Sequence, residues 1–599
     1  MSVHNTNAIT PEQAGTLHGL FLERVKRTPD RVAYRHFERN EWRSITWREM
    51  RGEVARWQAA LSRLNLKPGD RVAIMLRNCP QWIMFDQAAM SLGLVVVPLY
   101  TVDRPDNLAY IVNNASVKVL LFETGEQWQA LRTVQDQLTG IVRFVSLVRL
   151  RNTDEPRLKF VADFLPPAAQ LESAFPCKSH ELASIIYTSG TTGRSKGVML
   201  SHANILSNAH ACLDAFPVRS GDLFLSFLPL SHSFERTLGY YLTVMTGATV
   251  AFARSISQLS EDLQTIRPTL LISVPRIYER TYAAIKTRLN EGSPLKRTLF
   301  NLTVEIGTRR FEHQQGRGAW QLSFLLWPLL KKLVAQKILD KLGGRLRMAV
   351  SGGAALAPEI SRMFISLGLP ILQGYGLTET SPVISCNRLE DNVPDSVGKL
   401  IRDVEVRLDE QGTLLVKGPN VMMGYWDNPE ATRDIIDAEA WLNTGDTVRI
   451  SNTGHIHITG RVKEIIVMSN GEKIPPADME LAIRQDRLFD QVMIFGEARP
   501  YLVALAVINP EAWLQLAKQL GVRADMPESL TDSRVLGDVL QRIRTNLRVF
   551  PGYAKVNNVL LLHEPWTSEN GLLTATLKLR RKQVAEQFAD QIKQLYEGH

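Results

Sequence analysis

Between Trp47 and Phe122, short apolar runs alternate with amphipathic stretches in a pattern that few architectures accommodate. A helix ending near Leu61 is followed by Lys67-Pro68-Gly69-Asp70, the apolar run 72–76, a helix over 80–92, the run 95–99, a helix near 106–112 and the run 117–122. Apolar runs of this length bounded by turn residues read as buried strands, and strands alternating with helices predict parallel sheets covered on both faces. With 599 residues the chain is longer than the roughly 250–300 at which a single core stops growing, so several domains are expected.

The remaining segments fill out that picture. Leu17, Leu20, Phe21 and Val25 have helical spacing, and 33–46 reads as two strands around a polar turn. Residues 143–176 lack the alternation and are expected to be irregular. Ser201 is placed to cap a helix whose apolar face is Ile205, Leu206, Ala209, Cys212, Leu213 and Phe216. Strands are expected at 223–230, 269–274 and 346–351, and 281–345 is helical in pattern. From Val404 to Asp446, short strands separated by glycine turns suggest an antiparallel β subdomain. Beyond Gly460, Asn470-Gly471 signals a hairpin, followed by a helix over 476–484, two strands within 491–508 and a final helix carrying Val584, Phe588 and Ile592 on one face.

The stretch Tyr187-Thr188-Ser189-Gly190-Thr191-Thr192-Gly193-Arg194-Ser195-Lys196-Gly197 lies between two strand-length apolar runs, 182–187 and 197–200. Its glycines allow backbone N–H groups to approach a polyanion, its hydroxyls add donors, and Lys196 supplies a charge. It lacks the spacing of a Walker loop and reads as a different phosphate-gripping loop. A solvated linker is the bland alternative, which the apolar flanks and the single lysine disfavour.

Composition excludes little by itself. The net charge of +9 suits an anionic ligand, an anionic membrane surface or nucleic acid, but no basic block with interleaved aromatics forms a nucleic-acid groove, and no nucleic-acid partner is expected. Cys79, Cys177, Cys212 and Cys386 are far apart and have no metal or redox spacing. With no secretory pattern at the N-terminus, a cytoplasmic location is expected. No apolar stretch reaches the ~20 residues of a membrane span. The section 322–342, where Lys331, Lys332, Lys337 and Lys341 sit beside Phe324, Leu325, Trp327, Leu329 and Leu330, reads first as a solvated surface helix and second as a peripheral contact with the inner face of an anionic membrane.

Five motifs occur in fixed order: YTSGTTGRSKG from Tyr187, QGYGLTET from Gln373, WLNTGD from Trp441, TGRVKE from Thr459 and LLTATLKLRR from Leu572. In this set the chain resembles the adenylate-forming, AMP-binding superfamily over nearly its whole length. SVPRIYER from Ser273 and the helical insertion before GGRLRMAVSGGAAL narrow the resemblance to long-chain fatty acid–CoA ligases. The resemblance implies an α/β fold in which a large N-terminal domain (1–460) of two covered sheets plus a β subdomain is joined by a hinge (461–463) to a small mobile α+β domain (464–599).

It also implies an ATP-dependent, two-step reaction. A fatty carboxylate attacks the α-phosphorus of ATP to give acyl-AMP and pyrophosphate, and CoA then displaces AMP. Thr188, Ser189, Gly190, Thr191, Thr192, Gly193 and Lys196 would hold the β and γ phosphates, and Glu379, with Thr188, would hold Mg²⁺. Thr378 would bind the α-phosphate. Tyr375, within Gly374-Tyr375-Gly376, would stack on adenine, and Gly352, Gly353 and Ala354 would wall it. Asp446 would take the ribose hydroxyls with help from Arg461, and His232 would line the carboxylate end of the acyl site. Lys578 would bridge carboxylate and α-phosphate, and Lys463 would be the hinge. The acyl tunnel would run along 238–252 and 273–278. Leu577 and Ala575 depart from the glycine and proline common in the family, which leaves Lys582 as an alternative adenylation lysine. The competing readings are a fatty acyl-AMP ligase that loads a carrier protein and a non-catalytic lipid- or nucleotide-binding homologue.

Overall fold

The computed structural model describes residues 8–151, 153–188, 194–469, 472–548, 550, 555–574 and 578–597. Among them the alternating pattern becomes two large sheets. One has eight strands in the order Gly424–Tyr425, Lys196–Ser201, Leu182–Thr188, Val95–Pro98, Arg71–Met75, Val117–Phe122, Arg143–Ser146 and Leu158–Phe160. It is parallel from Leu182–Thr188 onward, and Lys196–Ser201 and Gly424–Tyr425 join antiparallel at the other edge. The other has nine, with a parallel centre running from Ile371–Gly376 through Met348–Ser351, Leu270–Ser273, Leu223–Ser226 and Thr249–Phe252 to Val32–Glu38.

The helices cover these sheets for reasons visible locally. Trp47–Ser62 begins with a capping box from Thr46 and Glu49, and His202–Ala215 begins with one from Ser201 and Asn204. Pro80–Ser91 starts on proline and is buried on nearly every side, with Asp86 and Gln87 among its buried residues satisfied by Arg236, Tyr240 and His18. The strands Arg143–Ser146 and Leu158–Phe160 correct the expectation of irregularity after residue 143. They are only four and three residues long and show no clear alternation, so their pairing with the sheet edge, and not their own pattern, makes them strands.

An antiparallel four-stranded sheet follows, Glu405–Leu408, Thr413–Lys417, Leu442–Ile450 and Ile456–Arg461. Past it, a three-stranded sheet sets Leu502–Ile508 between Phe489–Phe495 (antiparallel) and Val556–Leu562 (parallel). This sheet and the helices Pro476–Ile483, Pro510–Leu520 and Ser533–Asn546 enclose a separate apolar core. Asn470-Gly471 lies outside the described residues, but the strands on either side of it, Ile466–Val467 and Lys473–Ile474, pair antiparallel. The final helix is interrupted at Phe588, giving Arg581–Gln587 and Ala589–Gln594. No helix among the described residues is long and apolar enough to cross a membrane.

Candidate active site

Thr188 and Lys196 are register partners in the antiparallel pair Leu182–Thr188 and Lys196–Ser201, which lies next to the edge strand of the eight-stranded sheet. Ser189, Gly190, Thr191, Thr192 and Gly193 lie outside the described residues. That edge strand, Gly424–Tyr425, pairs with Val198 and Met199 and brings in an aromatic ring that no motif flags. The Lys196 ammonium lies 5.0 Å from the centre of the Tyr425 ring. The Tyr425 hydroxyl donates to Glu379 Oε1 at 2.8 Å.

Glu379 sits in the turn Thr378–Thr380 that follows the strand Ile371–Gly376. Its backbone carbonyl accepts from Met422 N at 2.9 Å, and its Oε2 has no hydrogen bond to protein among the described residues. The donor set fits a magnesium ion that arrives with its nucleotide: such an ion takes one or two carboxylates and completes its octahedron with phosphate oxygens and water. A self-sufficient cage is absent among the described residues. Thr378 Oγ1 is 3.3 Å from Ser233 Oγ. Gly376 can only be glycine, since an added Cβ would lie 1.8 Å from Pro382 O.

Tyr375, Asp446 and Arg461 form a second cluster. Asp446 and Arg461 face each other across the ladder of Leu442–Ile450 and Ile456–Arg461. Arg461 Nε donates to Asp446 Oδ1 at 2.7 Å, and the Tyr375 hydroxyl donates to Oδ2 at 2.6 Å. Burial and then the Asp446 carboxylate push the Tyr375 phenol well above its ordinary range. Burial opposes the Arg461 charge, but Asp446 outweighs it and holds the guanidinium pKa above its usual value. Tyr375 is thus fixed by its hydroxyl, which leaves its ring as a rigid platform.

Gly352 follows the strand Met348–Ser351, and an added Cβ there would meet the Phe234 ring at 2.9 Å. Its smallness is explained by Phe234, whether or not a base lies beside it. Gly353 has φ +80°, and Ala354 is exposed, so the chain turns outward here with no bulky side chain. Two residues before Phe234, His232 is half-buried, and its Nδ1 accepts from Phe234 N at 3.1 Å, which puts the ring proton on Nε2. Burial, and then the charge of Lys578, push His232 down to about 4, so the ring is neutral at ordinary pH.

Lys578 retains exposure to solvent, yet the walls around it are close enough that desolvation lowers its pKa. Arg461 lowers it further, and Asp446, Glu379 and Glu464 oppose the shift. A single ammonium therefore feels both clusters and His232. Its backbone N donates to Thr574 Oγ1 at 3.0 Å, and Thr574 N donates to Lys578 O at 2.8 Å, so Thr574 fixes its backbone on both sides. Ala575 and Leu577 lie outside the described residues. Lys582, the alternative, is exposed on the helix Arg581–Gln587 and pairs with Glu586 at 3.7 Å. Lys463 lies in the turn Val462–Glu464 between Ile456–Arg461 and Ile466–Val467.

Residues 238–252, expected to line an acyl tunnel, are packed core. Leu238, Tyr240, Tyr241, Leu242, Val244 and Met245 are almost wholly buried, and Arg236 Nη2 contacts Asp86 Oδ1 at 2.6 Å among them. An apolar cavity of about 720 Å³ borders the helix Pro275–Asn290, lined by Leu259, Leu263, Ile277, Ile285, Phe300 and Leu342. Ile277 belongs to the 273–278 stretch expected to line the tunnel, and the rest of the wall comes from helical segments far apart in the chain, which sequence pattern does not bring together.

Comparison with known proteins follows this geometry. Residues 21–426 match the AMP-binding enzyme family, and residues 463–599 match the AMP-binding enzyme C-terminal domain. The chain is 30% identical over 584 residues to long-chain-fatty-acid–CoA ligase FadD15 of Mycobacterium bovis, covering 96% of each chain. It is 28% identical to the chloroplastic long-chain-fatty-acid–(acyl-carrier-protein) ligase AEE15 of Arabidopsis thaliana, covering 92% of this chain and 82% of that protein. In fold it is similar to the A-PCP didomain of the carboxylic acid reductase from Segniliparus rugosus in complex with AMP, with a TM-score of 0.76 at 20% identity, covering 100% of this chain and 85% of that one.

Proposed function

The chain belongs to the AMP-binding enzyme family, and from that premise we propose that it is a long-chain-fatty-acid–CoA ligase working through an acyl-adenylate. What supports this reading is that Lys578 is close enough to feel the charges of Arg461, Asp446 and Glu379, that His232 feels Lys578, and that Asp446 holds both Arg461 and Tyr375.

In the first step a carboxylate oxygen forms a bond to the α-phosphorus of ATP while the bond to the pyrophosphate oxygen breaks. Two anions must approach, so the cleft has to supply positive charge where negative charge gathers, and preorganised charge of this kind is typically worth about 3 kcal/mol per group. Lys578 is the cation we assign to the carboxylate and α-phosphate, Thr378 a hydroxyl donor to the α-phosphate, and Lys196 the cation for the β and γ phosphates. His232, neutral with its proton on Nε2, is suited to donate a hydrogen bond to the carboxylate without trapping it in an ion pair. Tyr375 gives a platform for adenine beside Gly352, Gly353 and Ala354, and Asp446 accepts from the ribose. Glu379 and Thr188 would hold magnesium, whose chemistry is to draw charge from the phosphates.

In the second step the CoA sulfur bonds to the acyl carbon and AMP leaves. Lys578 occupies the cleft in the first step, so the 464–599 domain has to turn away, and Lys463 is the hinge we assign. The 720 Å³ cavity gives apolar room of the kind an acyl chain needs. Each buried methylene contributes about 0.8 kcal/mol, so two added carbons change affinity by about tenfold. Absence of a spanning helix among the described residues is compatible with a protein that meets its acid in water or at a membrane face.

Transfer to a carrier protein is the second reading, favoured by the likeness to AEE15. Pyrophosphate release measured across acids of C2 to C20, with CoA or a phosphopantetheinylated carrier as acceptor, tests both. Release that rises with chain length, and thioester formed with CoA, is expected. Release indifferent to the acid, or thioester formed only on the carrier, would overturn the assignment.

A further inference from the structure

Arg580, Arg581 and Lys582 are consecutive cations that begin two residues past Lys578. Like charges this close repel, so each gains from an anion. Arg581 Nη2 contacts Glu480 Oε1 at 2.7 Å and donates to Ile494 O at 3.2 Å, which ties the segment into the 464–599 domain. Lys582 pairs with Glu586 on its own helix. Arg580 is half-buried at the start of that helix, and among the described residues its side chain makes no ion pair inside the domain.

The carboxylate that feels Arg580 belongs to the large domain. Burial pushes the half-buried Asp103 up, hydrogen bonds from Asn107 and from Arg104 N draw it back, and the Arg580 charge draws it back further from beyond direct ion-pair distance. Geometry also sets the two segments side by side: a Cβ added to Gly571 would lie 3.8 Å from Arg104 Nη1. The Arg104 guanidinium is itself engaged by Asp106 at 3.0 Å, so it does not compete for Asp103.

Asp103 leads into the helix Pro105–Asn114, which lies along the phosphate-gripping stretch. Asn107 Nδ2 donates to Asp103 Oδ2 at 2.5 Å, and Asn107 Oδ1 accepts from Ser195 Oγ at 3.2 Å. The Arg194 guanidinium lies 5.1 Å from the centre of the Tyr110 ring. At the far end of the helix, Asn114 Oδ1 accepts from the Tyr187 hydroxyl. The helix is thus held to residues on both sides of the stretch, and Asn107 joins one of them to the carboxylate that faces Arg580. We propose, resting on the adenylation reading, that Asp103 is a positioning residue for the first step: it steers the Lys578 segment over the cleft through the charge of Arg580, with Asn107 setting the carboxylate from the Ser195 side. The second step has no use for this attraction, because the Lys578 segment has then left the cleft.

The test removes the charge and keeps the shape. Asp103→Asn is expected to slow pyrophosphate release by about fivefold and to leave thioester formation from supplied acyl-AMP and CoA at its wild-type rate. Asp103→Glu should recover most of the loss. Asp103→Arg should be slower still, and combining it with Arg580→Asp should restore at least part of the rate, as a direct charge partnership requires. A readout without turnover is the labelling of Arg580 by phenylglyoxal, followed by mass spectrometry: it should run about threefold faster in Asp103→Asn than in the wild type, at an unchanged melting temperature. Equal slowing of both half-reactions, a charge swap that recovers nothing, or Arg580 labelled at the wild-type rate in Asp103→Asn would each overturn the proposal. A wild type that releases no pyrophosphate with any acid would defeat the proposed activity instead, and the labelling would still decide whether Asp103 holds the segment.

Discussion

The Tyr425 hydroxyl donates to Glu379 Oε1 across 2.8 Å, tying the edge strand of one large sheet to a turn between two neighbouring strands of the other. Its ring also backs the Lys196 ammonium. Tyr425→Phe keeps the ring and removes the bond. A hydrogen bond to a charged group contributes about 1.5 kcal/mol, so adenylation is expected to slow by about tenfold with an altered magnesium dependence and an unchanged fold. Steady-state rates over a magnesium titration measure this, and a wild-type titration curve would show that the bond is idle.

Lys578 and Lys582 make opposite predictions. Lys578 is surrounded by the charges of both clusters, whereas Lys582 is on the surface with Glu586. Lys578→Ala is expected to lower pyrophosphate release by about a hundredfold or more while supplied acyl-AMP and CoA still give thioester. Lys582→Ala should behave as wild type. The reverse pattern would mean that the motif was read in the wrong register.

Glu279 and Arg484 form an ion pair of 2.9 Å between the large part of the chain and the C-terminal part, both side chains partly exposed. An ion pair of this kind is worth up to about 1 kcal/mol. If it helps to hold the lysine-bearing domain over the cleft, Glu279→Gln will slow adenylation by up to about fivefold and leave thioester formation from supplied acyl-AMP at its wild-type rate. Single-turnover measurements separate the two, and equal slowing of both would assign the pair a merely structural role.

How much of this was legible in the sequence depended on distance along the chain. The strand Val117–Phe122 and the helix Leu17–Arg27 fall where the apolar periodicity puts them, and the Ser201 cap forms as its position suggests. Local chemistry decides each of these. Strand Val556–Leu562 was missed because its partner Leu502–Ile508 lies some fifty residues earlier, and nothing local requires the pairing. Tyr425 was missed for a similar reason: a tyrosine after a glycine signals nothing until a second strand places it over Lys196. The uncharged run after Leu238, expected to line the acyl tunnel, is buried and lies beside the Asp86–Arg236 pair, a long-range partnership that apolarity along the chain does not announce.

Three histidines make stability depend on pH. His18, His202 and His232 are each pushed down to about 4, chiefly by burial. Unfolded histidine titrates near 6.5, so between these values the unfolded chain binds more protons than the folded one. Their contribution is complete above pH 6.5 and declines as the pH falls toward 4. Glu235 acts in the other direction: burial pushes it up to about 8, and its contribution is complete below about 4.5 and lost as the pH rises through 8. His202 Nδ1 accepts from Leu17 N at 3.3 Å, an acceptor that glutamine can imitate. His202→Gln is therefore expected to flatten the fall in denaturation midpoint between pH 6.5 and 4.5 by about one proton. An unchanged slope would place the acid sensitivity elsewhere.

The account's central claim is activation through an adenylate, and the nucleotide products test it most directly. With ATP, magnesium and a C16 acid but no CoA, one turnover should give pyrophosphate and enzyme-held acyl-AMP. Adding CoA should convert that adenylate to acyl-CoA and free AMP. Release of ADP and inorganic phosphate, or acyl-CoA formed with no acyl-AMP detectable in the CoA-free reaction, would contradict it.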